Sequence, residues 1–419
     1  MQNRPFPLVI LLAALGLFSL AGATAPAQAR EHYEAPVAPQ AAAILPPYML
    51  SGPNFTVDPS VATDGYLYIY TLRTRFGELR VASTALLAKR IAETAALAKM
   101  EQVSSLTEFG GGMVAKGKST LEGAADLVTN PVGTLSGAVT GVGRMFENLQ
   151  QDITSGNIGN GSGAARILGV SALERQYAAQ FGVDPYTTNP LVRKRLHDLA
   201  VAGAAGNITA SALASLIPGG AGLAVSAVGA TATLNSVDLT APPEQLARQN
   251  LAQLASMGVP SEAAALFIGD RIFTPTEQCR VVASLAAMPA VQNKGAFVGF
   301  LAGTNDPDVA RFRERMAAMY AGYNANIEPL TGFVSIGRHV AAVNASGRLV
   351  LVFPADCFFW TETNAVIARA FEEFARSFPA NGVEIWVAGK ASPLFAKKMR
   401  AMGWKIHDQS ANRLLSQPY

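Results

Sequence analysis

The sequence predicts an α+β protein that is mostly helical. A β-hairpin and Gly/Ala-rich helices are expected in the N-terminal part, and a small α/β domain at the C-terminus. Three observations lead to this class. Aromatic and aliphatic residues alternate with polar ones over 65–82, the period of a strand. Apolar residues recur at helical spacing, between recognisable caps, through much of 83–329. Strand-like and helix-like segments then alternate over 330–419.

The chain begins with the parts of a secretory signal peptide, residues 1–29. Arg4 precedes a short apolar run, and the small residues Ala27 and Ala29 precede the polar sequence that follows. The run is shorter than the roughly 20 residues of a membrane span. We therefore expect cleavage near Ala29 and a periplasmic or secreted protein, with retention as an anchor as the alternative. Residues 30–60 are rich in proline and alanine, which predicts an extended, poorly ordered arm.

Residues 61–160 are predicted to contain the hairpin, a helix and a glycine-rich helical segment. Phe76 and Gly77 lie in the middle of the alternating stretch and mark its turn. From Ser83 onward the apolar residues adopt helical spacing, so one face of this helix is expected to be buried.

Residues 161–329 are predicted to form a helical domain. Ser171, Thr274 and Asp306 each have the sequence signature of a helix start. Residues 199–237 contain no charged side chain and are divided by a Pro-Gly-Gly turn, which predicts a hydrophobic helical hairpin. This hairpin has three interpretations, namely a buried core, a membrane-inserting element or an oligomer interface.

Residues 330–419 are predicted to form the small α/β domain. Two strands are joined by a turn at 344–347, and Thr361 and Ser392 are the expected caps of the two helices that follow. Gly403 is expected to end the second helix before a short final strand. The alternation of strands and helices favours an open sheet with helices packed on it.

Gly133, Gly137 and Gly141 form the most unusual pattern in the chain. Each glycine costs a helix about 1 kcal/mol relative to alanine, so a row of them at four-residue spacing needs an explanation. Such a row lets another surface approach the helix backbone closely. We consider two explanations equally. Either the stripe contacts a membrane surface or a protein partner, or it packs tightly inside a soluble core.

The rim of the C-terminal sheet is a second candidate site. If its central strands are parallel neighbours, Asp356 and Lys390 follow them at the edge where open sheets bind ligands, beside the helix starts at Thr361 and Ser392. These four residues are the candidate ligand-binding set for a small anion or polar molecule. The alternative is that Thr361 and Ser392 are only caps and that Asp356 and Lys390 form a salt bridge.

Cys279 and Cys357 are the only cysteines. In an oxidising compartment they could pair, and closing a loop of about 80 residues would contribute up to roughly 4.5 kcal/mol. Two separate buried thiols are the alternative, because both residues have apolar neighbours. No metal site is expected, since the four histidines are scattered.

The composition and the motifs that are missing limit the function classes. The net charge is only +3, which does not favour nucleic-acid binding. Half of the residues are hydrophobic and 15% are charged, which favours a membrane surface or a large interface as partner. The sequence contains no nucleophile elbow, zinc-protease motif, phosphate loop or dinucleotide fingerprint, so neither an enzymatic reaction nor a cofactor is indicated.

Two resemblances accompany these patterns. Residues 117–144 resemble the Gly-rich helices near the ends of some bulk lipid-transfer proteins. The stretches "DGYLYIYTLRTRFGEL", "FGVDPYTTNP" and "FPADCFFWTE" resemble a family of exported Gram-negative bacterial proteins of unknown function. This second resemblance implies export and no particular activity.

The leading hypothesis is a non-enzymatic protein that associates with the envelope membrane surface or a protein partner through its Gly-rich helices. The alternatives are a small-ligand binder or enzyme that uses the rim near Asp356 and Lys390, and a membrane-inserting hairpin protein.

Overall fold

A computed structural model of the chain describes most of the sequence. The described residues are 31–110, with side chains to residue 103, and 140–147, 171–205, 237–337 and 339–416. The chain divides into two units, Met1–Tyr33 and Glu34–Tyr419, and every element given below belongs to the second. The protein is mixed α/β with about 51% helix and 18% strand, so the expected combination of a helical majority with two sheets is confirmed.

The N-terminal sheet has five strands, of which β4 is the centre. β4 pairs antiparallel with β2, β3 and β5, and β1 pairs with β2. The strands are β1 Ser51–Gly52, β2 Phe55–Val57, β3 Ala62–Thr63, β4 Tyr68–Thr74 and β5 Gly77–Ala82. The predicted hairpin is confirmed as β4 and β5, in which Thr74 pairs with Gly77 across the turn.

The proline- and alanine-rich arm is more ordered than its composition predicts. Two short helices, α1 Ala41–Ile44 and α2 Pro47–Leu50, precede the first strand. Ala41, Leu45 and Met49 are buried in one hydrophobic cluster with residues of the N-terminal sheet. The prediction of a poorly ordered arm is therefore wrong for the part of it that forms α1, α2, β1 and β2, because these apolar side chains complete the core under the sheet.

Nine helices follow in the described part of the chain between residues 84 and 326. They are α3 Thr84–Gly110, α4 141–147, α5 Ala172–Gln180, α6 Pro190–Ala204, α7 Pro243–Ser256, α8 Ser261–Gly269, α9 Pro275–Ala286, α10 Lys294–Leu301 and α11 Pro307–Asn326. The three predicted starts are confirmed. Ser171 and Thr274 form capping boxes, and the side chain of Asp306 accepts a hydrogen bond from the amide of Asp308.

Helix α9 lies at the centre of the helical region. All ten residues from Thr276 to Leu285 are buried, and α9 packs against α7 and α11. A helix that is enclosed on every side needs partners for any polar group it contains.

The uncharged stretch predicted as a hairpin is described only at its ends. Leu199 to Ala204 form the end of α6, whose Leu199 and Ala200 are buried. Residues 206–236 lie outside the described residues. Within the described part of the chain, no helix combines the length and the apolar character that crossing a bilayer requires.

The C-terminal sheet also has five strands, in the order β12-β10-β8-β7-β6. β8, β10 and β12 are parallel, whereas β6 and β7 are antiparallel. The strands are β6 Leu330–Ile336, β7 His339–Asn344, β8 Leu349–Phe353, β10 Val383–Val387 and β12 Lys405–His407, and β9 Cys357–Phe358 pairs separately with β11 Lys390–Ala391. The helices are α12 Glu362–Ser377, α13 Pro393–Ala401 and α14 Ala411–Leu414.

The local signals of this region are confirmed. Thr361 accepts a hydrogen bond from the amide of Asn364, and Ser392 accepts one from the amide of Phe395, so both cap their helices. Gly403 ends α13 with a φ of +75°, a conformation that favours glycine. Strand β6 and the β9–β11 pair were not predicted.

Candidate functional site

The predicted rim of the C-terminal sheet is present, and its residues make separate contacts there. β8 and β10 are parallel neighbours, as the rim hypothesis required. The backbone amide of Lys390 donates to the carbonyl of Asp356 over 3.0 Å. Lys390 is exposed and Asp356 is half-buried, and among the described residues the two form no salt bridge. The salt bridge offered as the alternative for this pair is therefore wrong, whereas the shared binding role stays a prediction.

Asp356 connects the C-terminal sheet to the N-terminal one. Its carboxylate accepts hydrogen bonds from the amides of Tyr68 (2.9 Å) and Thr84 (3.1 Å), and Thr84 is the first residue of α3. Burial raises the pKa of Asp356 to about 6, although these hydrogen bonds and the charge of Arg315 act in the opposite direction. Asp356 therefore caps α3 and holds two sheets together.

The expected anion position near Thr361 and Ser392 is filled by this chain's own Glu34. One Glu34 carboxylate oxygen accepts from the amide of Trp360 (2.6 Å) and from the hydroxyl of Ser392 (2.5 Å). The Glu34 amide donates to the Trp360 carbonyl over 2.8 Å. The sequence predicted a site for a small anion or polar molecule here, and in the structure a carboxylate of the N-terminal arm lies beside Ser392.

The glycine stripe is described only at its last member. Gly133 and Gly137 lie outside the described residues. Gly141 is buried in α4, and a Cβ atom built on it would overlap the carboxylate of Asp306. Gly141 therefore lets this chain's own Asp306 approach, and its assignment as a membrane or partner contact is wrong. The envelope-association hypothesis now depends on Gly133 and Gly137.

The helix that contains Gly141 is fixed to the body of the protein. Asp64 accepts hydrogen bonds from the hydroxyl of Thr140 and from the amide of Gly143 (3.1 Å). Arg144 forms an ion pair with Asp306 over 2.7 Å. Two carboxylates thus hold the first turn of α4.

Phe146 anchors the other end of α4. Its ring stacks on that of Tyr66 with centroids 4.0 Å apart, and it makes further ring contacts with Phe312, Phe353 and Phe358. Such contacts add to the energy of burial, so the end of the glycine-rich segment is part of the core.

The two cysteines are free thiols, and both are buried. Cys279 packs with residues such as Tyr186 and Leu246, whereas Cys357 belongs to the cluster under the N-terminal sheet. Burial raises the pKa of both thiols. The disulfide is contradicted, and the alternative of two separate buried thiols holds.

A different group of residues forms the most unusual polar arrangement in the described structure. We call Lys89, Asp184, Arg280, Glu314 and Arg315 the interior charge cluster. Lys89 is on α3, Asp184 precedes α6, Arg280 is on α9, and Glu314 and Arg315 are on α11. The charges of Lys89 and Arg280 act on the pKa of Asp184 and on that of Glu314, and the charges of Glu314 and Arg280 act on that of Arg315, so the five side chains share one electrostatic environment.

Asp184 is the member of the cluster that hydrogen bonds hold in place. It accepts hydrogen bonds from Lys89 Nζ (2.8 Å) and from the hydroxyl of Thr276 (2.6 Å). Burial alone raises the pKa of Asp184, but the charges of Lys89 and Arg280 together with these hydrogen bonds outweigh it and lower the pKa to about 2. Asp184 therefore stays ionised and fixes Lys89.

Arg280 is the unusual member. It is only 9% exposed, yet its Nε has no hydrogen-bond partner among the residues that the structure describes. No described carboxylate forms a salt bridge with it within 4.0 Å, although its charge acts on both Asp184 and Glu314. A buried guanidinium is normally paired, so Arg280 has donor capacity that the described protein does not use.

Arg90 shows how this protein satisfies a buried arginine elsewhere. Its Nη1 donates to Glu93 over 2.7 Å, and its Nη2 donates to Thr188 over 2.7 Å. Glu93 also accepts from Thr187 (2.5 Å) and Asn189 (2.8 Å), so the network is closed. The contrast distinguishes Arg280 from an arginine with a structural role.

Glu314 lies on α11, the helix that packs against α9, and the charge of Arg280 acts on its pKa. It is 9% exposed, like Arg280, so part of each residue remains accessible to solvent. Burial raises the pKa of Glu314, and the charges of Arg280 and Arg315 counteract this only in part. Burial lowers the pKa of Arg315. Burial therefore disfavours the charged forms of both Glu314 and Arg315.

The sequence contains a signal for this site that its analysis missed. Thr276, Arg280 and Ser284 recur every four residues on α9 and form a polar stripe on a helix whose last two turns are otherwise apolar. The sequence analysis considered this segment only for the Cys279 thiol and its apolar neighbours. Among the described residues, no group of three or more His, Cys, Asp or Glu side chains is arranged to hold a metal ion.

Comparison of the chain with protein-family models, with curated proteins and with solved structures gave no match. Function is therefore inferred from the geometry of the site.

Proposed function

We propose that this protein binds a small oxyanion at the interior charge cluster and that the guanidinium of Arg280 contacts it directly. We further propose that it does so outside the cytoplasm, as residues 1–29 indicate. This is the small-ligand alternative of the sequence analysis, moved from the rim of the C-terminal sheet to the helical interior.

One observation carries the proposal, namely that the buried Arg280 has an Nε without a partner among the described residues. Removing an unpaired charge from water costs several kcal/mol. A carboxylate, sulfate or phosphate group offsets this cost, because its oxygens accept the N–H donors of a guanidinium in a planar fork. Lys89 and Arg315 add positive charge close by.

The position of Arg280 favours a ligand over a structural pairing. α9 is enclosed by other helices, so close packing restricts the side chain of Arg280 while a small part of it remains accessible to solvent. Asp184 already has Lys89 and Thr276 as partners, which leaves Arg280 available.

The experiment is a thermal-denaturation series with the mature chain in chloride buffer, to which sulfate, phosphate, acetate or citrate is added at constant ionic strength. Wild type is expected to gain stability with at least one oxyanion, by about 2.7 kcal/mol at a concentration 100 times Kd. Arg280→Met is expected to lose the response. Arg248→Gln, which changes an exposed arginine, is the matched control and is expected to respond like wild type. An equal response of wild type and Arg280→Met to every oxyanion would contradict the proposal.

A further inference from the structure

Strand β5 lies at the edge of the N-terminal sheet. It pairs with β4, and no other described strand pairs with it. In an antiparallel pair, residues whose backbone groups bond to the neighbouring strand alternate with residues whose backbone groups point away from it. The amide of Ser83 donates to the carbonyl of Tyr68 over 2.8 Å, which fixes this alternation for β5. The amides and carbonyls of Glu78, Arg80 and Ala82 therefore point away from β4.

The outward side of β5 is open in the described structure. None of its outward amides and carbonyls takes part in a backbone hydrogen bond with another described residue. The carbonyl of Thr71, which lies opposite Arg80, accepts from the amide of Asp58 on the other side of β4 (3.0 Å), as the alternation requires. Among the residues of β5 only Val81 is buried. An edge with unpaired backbone groups can accept a further strand.

Glu78 and Arg80 make this edge complementary to itself. Charges on an edge strand often prevent pairing, but these two charges have opposite signs and lie on either side of Leu79. If two copies of β5 pair antiparallel about Leu79, each Glu78 lies opposite the partner's Arg80. The same two residues have outward backbone groups, so each opposite pair exchanges two backbone hydrogen bonds.

Leu79 supports the same register from the other face of the sheet. Successive side chains of a strand point to opposite faces, and Leu79 is half-buried against the hydrophobic cluster under the N-terminal sheet. In a pair centred on Leu79, the partner's Leu79 lies directly opposite, at a position where side chains approach most closely. The pairing therefore extends the buried apolar surface of each copy.

The charges on the solvent face exclude the neighbouring registers. A pair centred on Arg80 places two arginines opposite each other, and one centred on Glu78 places two glutamates opposite each other, which is destabilising. Glu78 already contacts Arg73 (Nε to Oε2, 3.5 Å), and Arg73 contacts Asp58 (3.0 Å). Arg80 is exposed and forms no salt bridge with a described residue. Pairing about Leu79 adds the partner's Arg80 to this row, in which the sign of the charge alternates.

We infer that this protein forms a twofold-symmetric homodimer in which the β5 strands of two copies pair antiparallel about Leu79 and join their N-terminal sheets. The same surface is used on both copies, as twofold symmetry requires. Addition of a strand to an exposed sheet edge is a common mode of protein association. The interior charge cluster has no part in this contact, so the inference is independent of the proposed function.

The test is sedimentation velocity of the mature chain over a series of concentrations at low ionic strength. Wild type is expected to pass from monomer to dimer as the concentration rises. Arg80→Glu brings two acidic side chains opposite each other and Glu78→Arg brings two basic ones, so each is expected to weaken dimerisation by at least about tenfold. Arg248→Glu makes the same charge change at an exposed arginine of α7 and is expected to dimerise like wild type.

An equimolar mixture of the Arg80→Glu and Glu78→Arg chains tests the register. Opposite charges again face each other between the two unlike chains, so the mixture is expected to recover the dimer that each variant alone has lost. A wild type that stays monomeric at every concentration overturns the inference. Dimerisation of Arg80→Glu as tight as that of wild type overturns it as well, and so does a mixture that gains no dimer.

Hydrogen exchange of wild type keeps the inference testable if either variant does not fold. The amides of Glu78 and Arg80 have no partner among the described residues of one copy, so they are expected to exchange more slowly at concentrations at which the dimer forms. Exchange of residues 77–82 that does not change between monomer and dimer would place the contact elsewhere and overturn the inference.

Discussion

Replacing Arg280 by methionine removes the charge and keeps much of the side-chain volume. Arg280 has an unpartnered Nε and no salt bridge within 4.0 Å to a described carboxylate, so the change breaks no short ionic contact. Asp184 keeps its hydrogen bonds from Lys89 and Thr276. Replacing buried charges by apolar groups of similar volume is neutral or stabilises by about 1–4 kcal/mol. We expect Arg280→Met to lower the free energy of unfolding by no more than ~1 kcal/mol, or to raise it.

Arg90→Met is the matched comparison, because it changes a buried arginine of the same protein that is paired through both Nη1 and Nη2. This substitution removes the donors to Glu93 and Thr188 and leaves Glu93 buried without its cation. We expect a loss of about 3–5 kcal/mol, the usual cost of removing one partner of a buried pair.

The assay is urea denaturation in a chloride buffer free of oxyanions, followed by far-ultraviolet circular dichroism for the wild type and both variants. Comparable m-values would establish that the free energies can be compared. A loss in Arg280→Met as large as that in Arg90→Met would refute the reasoning, because Arg280 would then be a structural cation with partners.

Three further predictions concern the residues that the sequence singled out or missed. Gly141→Ala should lower the free energy of unfolding by about 1–3 kcal/mol because the new Cβ overlaps Asp306. The same substitution at an open helix position would raise it by about 1 kcal/mol, so chemical denaturation distinguishes the two by the sign of the change. Glu34→Ala should cost about 1–3 kcal/mol, since the buried Ser392 hydroxyl and a backbone amide lose their acceptor; a melting temperature equal to wild type would contradict this contact. Asp184 has a folded pKa of about 2, below its ordinary value of 3.8. The ionised Asp184 carboxylate therefore contributes ~2 kcal/mol to the free energy of unfolding above about pH 4, and this contribution is lost as the pH falls through about 2. The difference in the free energy of unfolding between wild type and Asp184→Asn should narrow by that amount on acidification.

Local signals made much of the fold predictable. The starts of α5, α9 and α11 follow from Ser171, Thr274 and Asp306, because capping depends on the few residues around a helix start. The hairpin and the C-terminal strands follow from alternation and from turn residues. The ordered part of the arm could not be predicted in this way, since α1 and α2 depend on distant sheet residues that bury their side chains.

The candidate site could not be predicted from local sequence signals, for the same physical reason. Lys89, Asp184, Arg280 and Glu314 come from four separate segments, and only the packing of α9 among its neighbours brings them together. The glycine pattern was misinterpreted at Gly141 because a missing side chain shows that something approaches the backbone and does not show what approaches. A carboxylate of the same chain can approach the glycine backbone as closely as a membrane or a partner helix can.

The most direct test of the central claim is nuclear magnetic resonance of the arginine Nε–H groups during titration with oxyanions, with the Arg280 resonance assigned by its loss in Arg280→Met. We predict a saturable shift of the Arg280 resonance, while that of Arg90 stays in place because the Arg90 guanidinium is already held by Glu93 and Thr188 through Nη1 and Nη2. An Arg280 resonance that does not move at saturating concentrations of sulfate, phosphate, acetate and citrate would contradict the account.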